Sequence, residues 1–220
     1  MATPRFGLRA TKAARTKLAL LDAFTRALET AGFDQIRVRD LCAEVEISEP
    51  TFFNYFGSKA DLVTYFVQLW SIESGAQALN VLEASGARAA LHSIFQGTAA
   101  TTLEHPRILA EVIAAQARQE TLPQPHAISP AEYWERFGDV EGLQDVPARG
   151  LESLLPLLLR KGVELGEFPA DLDVDMTTLN LAAVFFGTPV VLLHRQPGLL
   201  ADAWHAQVEF ILGHHPRRSS

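Results

Sequence analysis

The fold is decided by a short aromatic-rich segment, SEPTFFNYFGSK, which spans residues 48–59. Ser48 is a favourable helix N-cap, and Pro50 is tolerated in the first turn of a helix because its missing N–H has no intrahelical partner there. Gly57 is a stop signal. The segment therefore predicts a short helix that begins after Ser48 and ends at about Phe56.

The aromatic side chains of this short helix cannot all belong to one buried face. Phe52 and Phe56 share an i, i+4 stripe and are the predicted core anchors. Phe53, Asn54 and Tyr55 then point outward. An exposed phenylalanine beside a tyrosine is unfavourable unless another molecule covers it, and the groove of a DNA duplex is one such cover.

Helical periodicity continues along the rest of the chain, and strand signals are nearly absent, so the fold class is predicted to be all-α. A first helix fits about residues 11–31, and a second, short helix carries an apolar stripe at 38, 41, 42 and 45. The second and third helices form a helix-turn-helix at about residues 37–56. Further helices are predicted from 58 to between 70 and 83, and at about 87–104, 106–118, 130–137, 147–165, 174–195 with a kink at Pro189, and 200–212.

Composition excludes several classes of protein. The chain has 220 residues and a single cysteine, Cys42, which rules out a disulfide framework or a Cys-rich zinc site. Its position on an apolar stripe indicates a core residue and not a reactive thiol. The apolar run at 181–193 is shorter than the ~20 residues of a membrane span. A cytoplasmic protein without a membrane partner is expected.

The net charge of −7 argues against nucleic acid, but its distribution does not. Residues 1–60 contain nine Lys or Arg and seven Asp or Glu, whereas residues 61–220 contain ten and nineteen. The first seventeen residues contain five basic side chains and no acidic one. A basic arm before an acidic body indicates one end that faces DNA, although a solvated tail would look the same.

The stretch VRDLCAEVEISEPTFFNYFGSKADL resembles the DNA-binding region of the TetR family of bacterial transcription regulators. The family pattern is similar to S-x-x-T-F-Y-x-Y-F-x-S-K-x-x-L. The matching residues are Ser48, Thr51, Phe52, Tyr55, Phe56, Ser58, Lys59 and Leu62. The resemblance is strong over about residues 12–63. It implies a three-helix DNA-binding domain at 1–62 and a helical effector-binding and dimerisation domain at 63–220.

Two residues depart from the family pattern. Glu46 stands in the turn where the family usually has a glycine in a left-handed conformation, which strains a residue with a side chain. If the turn has a different shape for this reason, the reading helix is expected to lie in a different position. Phe53 replaces the family's usual tyrosine, so this position can contact a thymine methyl group but cannot donate a hydrogen bond.

The resemblance assigns DNA-binding roles. Glu49, Pro50 and Phe53 would face base edges, and Arg39 would read guanine, unless it instead pairs with Asp40 or Glu44. The remaining members of the predicted set would contact phosphates or cap the reading helix. They are Arg37, Ser48, Thr51, Asn54, Tyr55 and Lys59.

The resemblance also implies a ligand pocket and a homodimer in the C-terminal region. The pocket would take a small, apolar or aromatic effector, although each candidate taken alone fits an ordinary core residue better. These candidates are Trp70, Phe95, Gln96, Trp134, Phe137 and Phe185. The last two helices would pair with their copies in a four-helix bundle. The predicted interface comprises Leu179, Ala183, Phe186, Val190, Trp204, Val208 and Ile211.

No enzyme motif is present: the sequence lacks G-x-S-x-G, G-x-G-x-x-G, a P-loop, H-E-x-x-H and C-x-x-C. No cofactor or metal is expected, although a metal-sensing regulator stays open because the seven histidines are scattered. The predicted function is a ligand-released repressor that binds a palindromic DNA operator as a homodimer. Activation remains an alternative, and so does an all-helical enzyme or interaction module that shares the helix-turn-helix.

Overall fold

The computed structural model describes residues 6–118, 127–138, 146 and 150–214. These residues form α-helices and short turns, and no strand occurs among them. The α-helices are α1 Leu8–Thr30, α2 Val38–Glu44, α3 Glu49–Tyr55, α4 Ala60–Ser85, α5 Ala87–Glu104, α6 Pro106–Arg118, α7 Pro130–Phe137, α8 Leu151–Glu164, α9 Val174–Leu192 and α10 Leu200–Gly213. The prediction of an all-α fold is confirmed.

The predicted helix positions agree closely with the structure. The bounds of α5, α6 and α7 are those expected from the sequence, whereas α1 begins three residues earlier and α4 continues to Ser85. α8 begins at Leu151, and the predicted start at 147 lies outside the described residues. α9 passes through Pro189 and ends at Leu192. The predicted loop at 119–126 also lies outside the described residues.

The buried side chains form two clusters. The N-terminal cluster is built from α1 to α4 around Leu20, Phe24, Phe52 and Phe56. It continues past residue 62 to Leu69 on α4. The C-terminal cluster is built mainly from α5, α8, α9 and α10. The start of α4 therefore belongs to the N-terminal cluster.

Two helices connect the clusters. α4 has 26 residues, and its first half contributes Leu62, Tyr65 and Leu69 to the N-terminal cluster while Ala78 belongs to the C-terminal one. α6 packs against α1 and α4 and also against α5 and α9. A shift of either helix would therefore change the packing of both clusters.

Candidate nucleic-acid interface and ligand cavity

α3, the predicted reading helix, is fixed at both ends by the residues that the sequence indicated. The Ser48 side chain accepts a hydrogen bond from the Thr51 N–H at 3.4 Å, which caps the helix. Phe52 and Phe56 are fully buried, and their ring centroids lie 5.7 Å apart. A helix of seven residues is not stable alone, so this capping and anchoring hold its outer face in place.

The turn between α2 and α3 keeps the left-handed conformation expected of it. Glu46 has φ 58° and is the one non-glycine residue with a positive φ in the described part of the chain. The Ile47 N–H donates to the Cys42 carbonyl at 2.9 Å, and the Glu46 N–H donates to the Ala43 carbonyl at 3.3 Å. These bonds have the pattern of a Schellman helix end. Glu46 therefore adopts the left-handed conformation that the resemblance implied for this position.

The outer face of α3 is exposed. Phe53 has 50% of its surface open to solvent, and its ring packs edge-on against Phe52 with centroids 5.3 Å apart. Glu49, Pro50 and Asn54 are also exposed, and the remaining α3 residues of the predicted set, Thr51 and Tyr55, are half-buried. The structure therefore gathers an aromatic ring, an amide and a carboxylate on one face.

Both arginines proposed for α2 are exposed. Arg37 is the N-cap residue of α2, and Arg39 follows in its first turn. Arg39 Nε donates to Asp40 Oδ1 at 3.3 Å, with 62% and 64% of the two side chains exposed. A surface pair of this kind contributes little to stability and does not hold the guanidinium in place. Both readings of Arg39 left open by the sequence are thus compatible with its position.

Lys59 has a different environment from the one expected of a free phosphate ligand. Its Nζ donates to the carbonyl oxygens of Phe33 and, at 2.7 Å, of Ile36. The ammonium also lies 4.2 Å from the centroid of the Phe33 ring. Burial lowers the pKa of Lys59. The side chain therefore ties the start of α4 to the segment before α2, and a phosphate contact would have to use its remaining proton.

A cavity of about 410 Å³ lies among α4, α5, α6, α8 and α9. Its walls are mainly apolar. The apolar lining comprises Phe66, Val67, Trp70, Ile108, Leu109, Val112, Leu151, Leu179, Ala182, Phe185 and Phe186. Trp70 and Phe185 pack together with ring centroids 5.9 Å apart. A mostly apolar cavity of this size is typical of a small-molecule site.

Polar groups occupy a minority of the cavity wall. They are Thr98, Thr101, Thr102, His105, Glu152, Asp175 and Thr178. The hydroxyl oxygen of Thr178 is buried and has no hydrogen-bond partner among the described residues. His105 Nδ1 lies 2.9 Å from Glu29 Oε1, so this wall residue contacts α1 of the N-terminal cluster.

Two of the six predicted pocket residues, Trp70 and Phe185, line the cavity, and the structure places the other four elsewhere. Phe95 is buried behind the wall, where its ring packs against Phe185 and Trp204 at 5.4 and 5.6 Å. Gln96 is exposed. Trp134 and Phe137 lie on α7, which packs against α1 and not against the cavity. Aromatic composition alone could not distinguish these locations.

The predicted dimer interface is corrected on α10. Trp204 and Val208 are fully buried in the chain's own C-terminal core, and the Trp204 indole N–H donates to the Val184 carbonyl at 3.0 Å. They cannot contact a second copy. Phe210, which is 66% exposed, lies on the outer face instead. The strongest apolar stripe of α10 faces inward because it completes its own core.

The α9 members of the predicted interface lie mostly on the outside. Leu179 is 60% exposed and Val190 is 62% exposed, and Ala183 is exposed as well. Phe186 is half-buried and also lines the cavity, and Ile211 on α10 is half-buried. Within the described residues, α9 is also the one helix whose length and apolar composition would fit a membrane span, with 33% of that stretch buried. One such helix is weak evidence for a membrane, because core helices of soluble proteins pass the same test.

Sequence reasoning missed a buried ionic network that joins α1, α4 and α7. Lys17 Nζ and Tyr65 Oη donate to Glu132 Oε1 at 2.5 and 2.6 Å, and the Ser129 hydroxyl donates to Glu132 Oε2 at 2.7 Å. Lys17 lies three and four residues before the core residues Leu20 and Leu21. A lysine on the apolar stripe of a helix was the available signal.

The physical environment sets the pKa values in this network. Burial by itself would raise the pKa of Glu132, but hydrogen bonds from Lys17, Tyr65 and Ser129 outweigh it and hold that pKa below its ordinary value. Burial, and then the hydrogen bond to Glu132, raise the pKa of Tyr65. Glu132 is therefore a buried carboxylate, neutralised by Lys17 on another element.

Residues 20–65 match the family model for bacterial regulatory proteins of the tetR family. Solved structures match over nearly the whole chain. A Thermus thermophilus FadR, described as a TetR family transcriptional repressor in complex with lauroyl-CoA, is 16% identical with a TM-score of 0.67, over 93% of this chain and 97% of its own. A Bacillus subtilis FadR in complex with stearoyl-CoA is 16% identical with a TM-score of 0.59, over 90% and 99%.

A gamma-butyrolactone receptor, an ArpA-like protein, matches with 18% identity and a TM-score of 0.52, over 93% of this chain and 90% of its own. No protein with a curated description matches. At these identities the structural matches establish the fold.

Proposed function

We propose that this chain, which carries the N-terminal domain of the tetR family within the fold of TetR-family regulators, is a ligand-released transcriptional repressor. It binds a palindromic DNA operator as a cytoplasmic homodimer. The DNA-binding end extends from residue 1 to about 62, and residues 63–220 bind the effector and the second copy.

The observation that carries this proposal is the outer face of α3. Phe52 and Phe56 fix the helix in the core, and the same helix holds Phe53 half exposed beside Asn54. The Phe53 ring contacts Phe52, but half of its surface is open to solvent and is available to another molecule. The major groove admits an α-helix, and the ring can contact a thymine methyl group there.

The neighbouring residues provide the remaining contacts. Glu49 and Pro50 face base edges together with Phe53, since a carboxylate accepts from cytosine N4 and apolar groups contact thymine. Arg39, held only by an exposed pair with Asp40, is free to form a bidentate contact with guanine. Arg37, Thr51, Asn54 and Tyr55 contact phosphates, which positions α3 without specifying sequence. Lys59 contributes one further phosphate contact through the ammonium proton that is not bonded to Phe33 or Ile36.

The homodimer is supported by the outer faces of α9 and α10. Leu179, Val190 and Phe210 are each at least 60% exposed, which is unusual for large apolar residues grouped on two packed helices. A second copy would cover them by a two-fold contact in which the same surfaces meet. A two-fold dimer presents two α3 helices, and palindromic half-sites follow from that symmetry.

Ligand release is supported by residues that belong to both the cavity and the N-terminal core. Phe66 and Val112 line the cavity and also pack against the N-terminal cluster. On the back of α6, Glu111 Oε1 accepts a hydrogen bond from the Phe33 N–H at 3.3 Å. A ligand that prefers another placement of α4 or α6 would therefore change the position of the helix-turn-helix and lower operator affinity.

The relatives give two starting points for the effector, an acyl-CoA thioester and a gamma-butyrolactone, and none for an enzyme. Two FadR structures hold acyl-CoA thioesters, which makes this class one candidate for the cavity. Within the described residues, no group of three or more His, Cys, Asp or Glu side chains is placed to hold a metal ion. The proposal is a regulator that needs no cofactor and catalyses no reaction.

Operator binding is tested by fluorescence polarisation of the full chain on DNA fragments from its own promoter region, with the salt concentration varied. We expect tight binding to one fragment, with log K falling by about 0.9 per phosphate neutralised for each decade of salt. Arg39→Ala should lose about 1–3 kcal/mol of discrimination between the operator and unrelated DNA. Arg160→Ala, an exposed arginine on α8, is the matched control and should bind like the parent.

Weak binding that is equal on all fragments, including a wider genomic set, would contradict the proposal. It would favour the alternative of an all-helical enzyme or interaction module in which the helix-turn-helix is only structural.

A further inference from the structure

The aromatic walls of the cavity suit a cation on an apolar body. Phe66 and Trp70 from α4 face the same space as Phe185 and Phe186 from α9. Aromatic ring faces carry negative electrostatic potential and attract a cation that lies within about 6 Å of the ring centroid. The same rings cover the apolar part of a ligand. A ring that presents its face to the ligand would therefore favour a cation over an anion.

Two of the threonine hydroxyls in the wall have their proton engaged and are left as acceptors. Thr98 Oγ1 donates its proton to the Ile94 carbonyl at 2.8 Å, and Thr101 Oγ1 donates to the Gly97 carbonyl at 3.2 Å. Their oxygen lone pairs remain, and Thr178 Oγ1 is buried without any partner among the described residues. An ammonium group only donates hydrogen bonds, so it is complementary to this set.

The charged groups that line the cavity also favour a cationic ligand. Asp175 and Glu152 are exposed carboxylates in the first turns of α9 and α8, where they also complement the helix dipoles. The imidazole of His105 is already paired with Glu29. Among the lining residues in the described part of the chain there is no lysine or arginine. An anion would meet two carboxylates and no described basic partner, whereas a cation would be attracted by both.

We propose that the effector of this cavity is an organic amine in its ammonium form, carried on an apolar, aromatic-bearing body. The ring and chain lie among Trp70 and Phe185. The ammonium group lies near Asp175, Glu152 and the threonine oxygens. This inference deepens the proposed function by naming the ligand class. A coenzyme A thioester, which carries several phosphate charges, is disfavoured by the same two carboxylates.

The test uses three probes with one apolar body and different charge: phenylhexylamine, phenylhexanol and phenylhexanoate, with lauroyl-CoA as a fourth. Binding to the full, DNA-free protein is measured by calorimetry and by tryptophan fluorescence. We expect the amine to bind tightest, the alcohol more weakly, and the carboxylate weaker than the amine by at least about tenfold. Phenylhexanoate or lauroyl-CoA binding as tightly as the amine would overturn the inference, and so would a lack of saturable amine binding.

Variants show whether the named groups cause the preference. The double variant Asp175→Asn, Glu152→Gln should weaken the amine severalfold and leave the alcohol unchanged. Asp202→Asn, an exposed carboxylate in the first turn of α10, is the matched control and should change neither. Thr178→Val should weaken the amine. An unchanged ratio of amine to alcohol affinity in the double variant would overturn the inference.

Ala182→Phe places a ring in the cavity and should abolish binding of all three aromatic probes. Circular dichroism shows whether this variant is folded. Amine binding that persists in the folded variant would overturn the cavity as the site. Because these assays contain no DNA, their outcome is separate from that of the operator assay. Amine binding without operator binding would contradict the proposed regulator and support the ligand class. Operator binding without amine binding would support the regulator and contradict the ligand class.

Discussion

The buried pair of Lys17 and Glu132 allows a quantitative prediction. Their side chains are 10% and 5% exposed, so Glu132→Ala leaves an ammonium group with no counter-charge in the N-terminal core. Removing one partner of a buried pair costs about 3–5 kcal/mol. Domains of ordinary stability have about 5–15 kcal/mol in total. We therefore expect Glu132→Ala to lose a large part of the free energy of unfolding.

The assay is urea denaturation followed by circular dichroism. Arg15→Gln removes the exposed pair between Arg15 and Glu135, which joins the same two helices, α1 and α7, and should change stability little. The double variant Lys17→Met, Glu132→Leu should recover part of the loss, because an apolar pair has no charge to desolvate, whereas the Tyr65 and Ser129 hydroxyls still lose their acceptor. A loss below about 1 kcal/mol for Glu132→Ala, or a double variant as unstable as the sum of the singles, would refute the reasoning.

The contribution of Glu132 to the free energy of unfolding should depend on pH with a definite sign. The folded protein holds the pKa of Glu132 below its ordinary value, so the unfolded chain binds a proton more readily at this site. The stabilisation is therefore complete above the ordinary carboxyl pKa and is lost as the pH falls through the folded pKa. The difference in unfolding free energy between the parent and Glu132→Gln should shrink as the pH is lowered through that range, and a growing difference would contradict it.

Three other substitutions follow from the site. Lys59→Met should cost about 1–3 kcal/mol in unfolding free energy, because the carbonyl groups of Phe33 and Ile36 lose their donor; an unchanged melting curve with weakened operator binding would show that phosphate contact is its main role. Phe53→Ser should leave stability within about 0.5 kcal/mol and weaken operator binding measured by polarisation; full affinity would remove this ring from the interface. Phe210→Glu should shift the chain to a monomer in analytical ultracentrifugation, and an unchanged dimer would place the interface elsewhere.

The features that sequence predicted well depend on residues close together in the chain. Ser48 caps α3 because its side chain needs only the N–H three residues ahead, and that geometry follows from the helix itself. The start of α7 follows in the same way from Ser129, which caps the helix, and from Pro130 at its first position. The left-handed conformation at Glu46 came from the resemblance, because the family usually has a glycine at this place in the turn.

The features that sequence missed depend on which elements meet. Trp204 and Val208 do lie on one apolar face of α10, as predicted. Such a face does not reveal whether the chain's own core or a second copy covers it, because both bury the same kind of surface. Trp134 and Phe137 were assigned to the cavity by composition. α7 instead packs against α1, a helix more than a hundred residues earlier in the chain, and no local pattern specifies such a contact.

The pairing of Lys17 with Glu132 also has a consequence during synthesis. The two residues are separated by 115 positions, so the ribosome releases α1 well before α7 exists. At about 5–20 residues per second, this interval is on the order of ten seconds. During that time Lys17 has no counter-charge, and the N-terminal core lacks its cover. The end of the chain that would bind DNA is translated first, yet it can complete its core only after α7 has emerged.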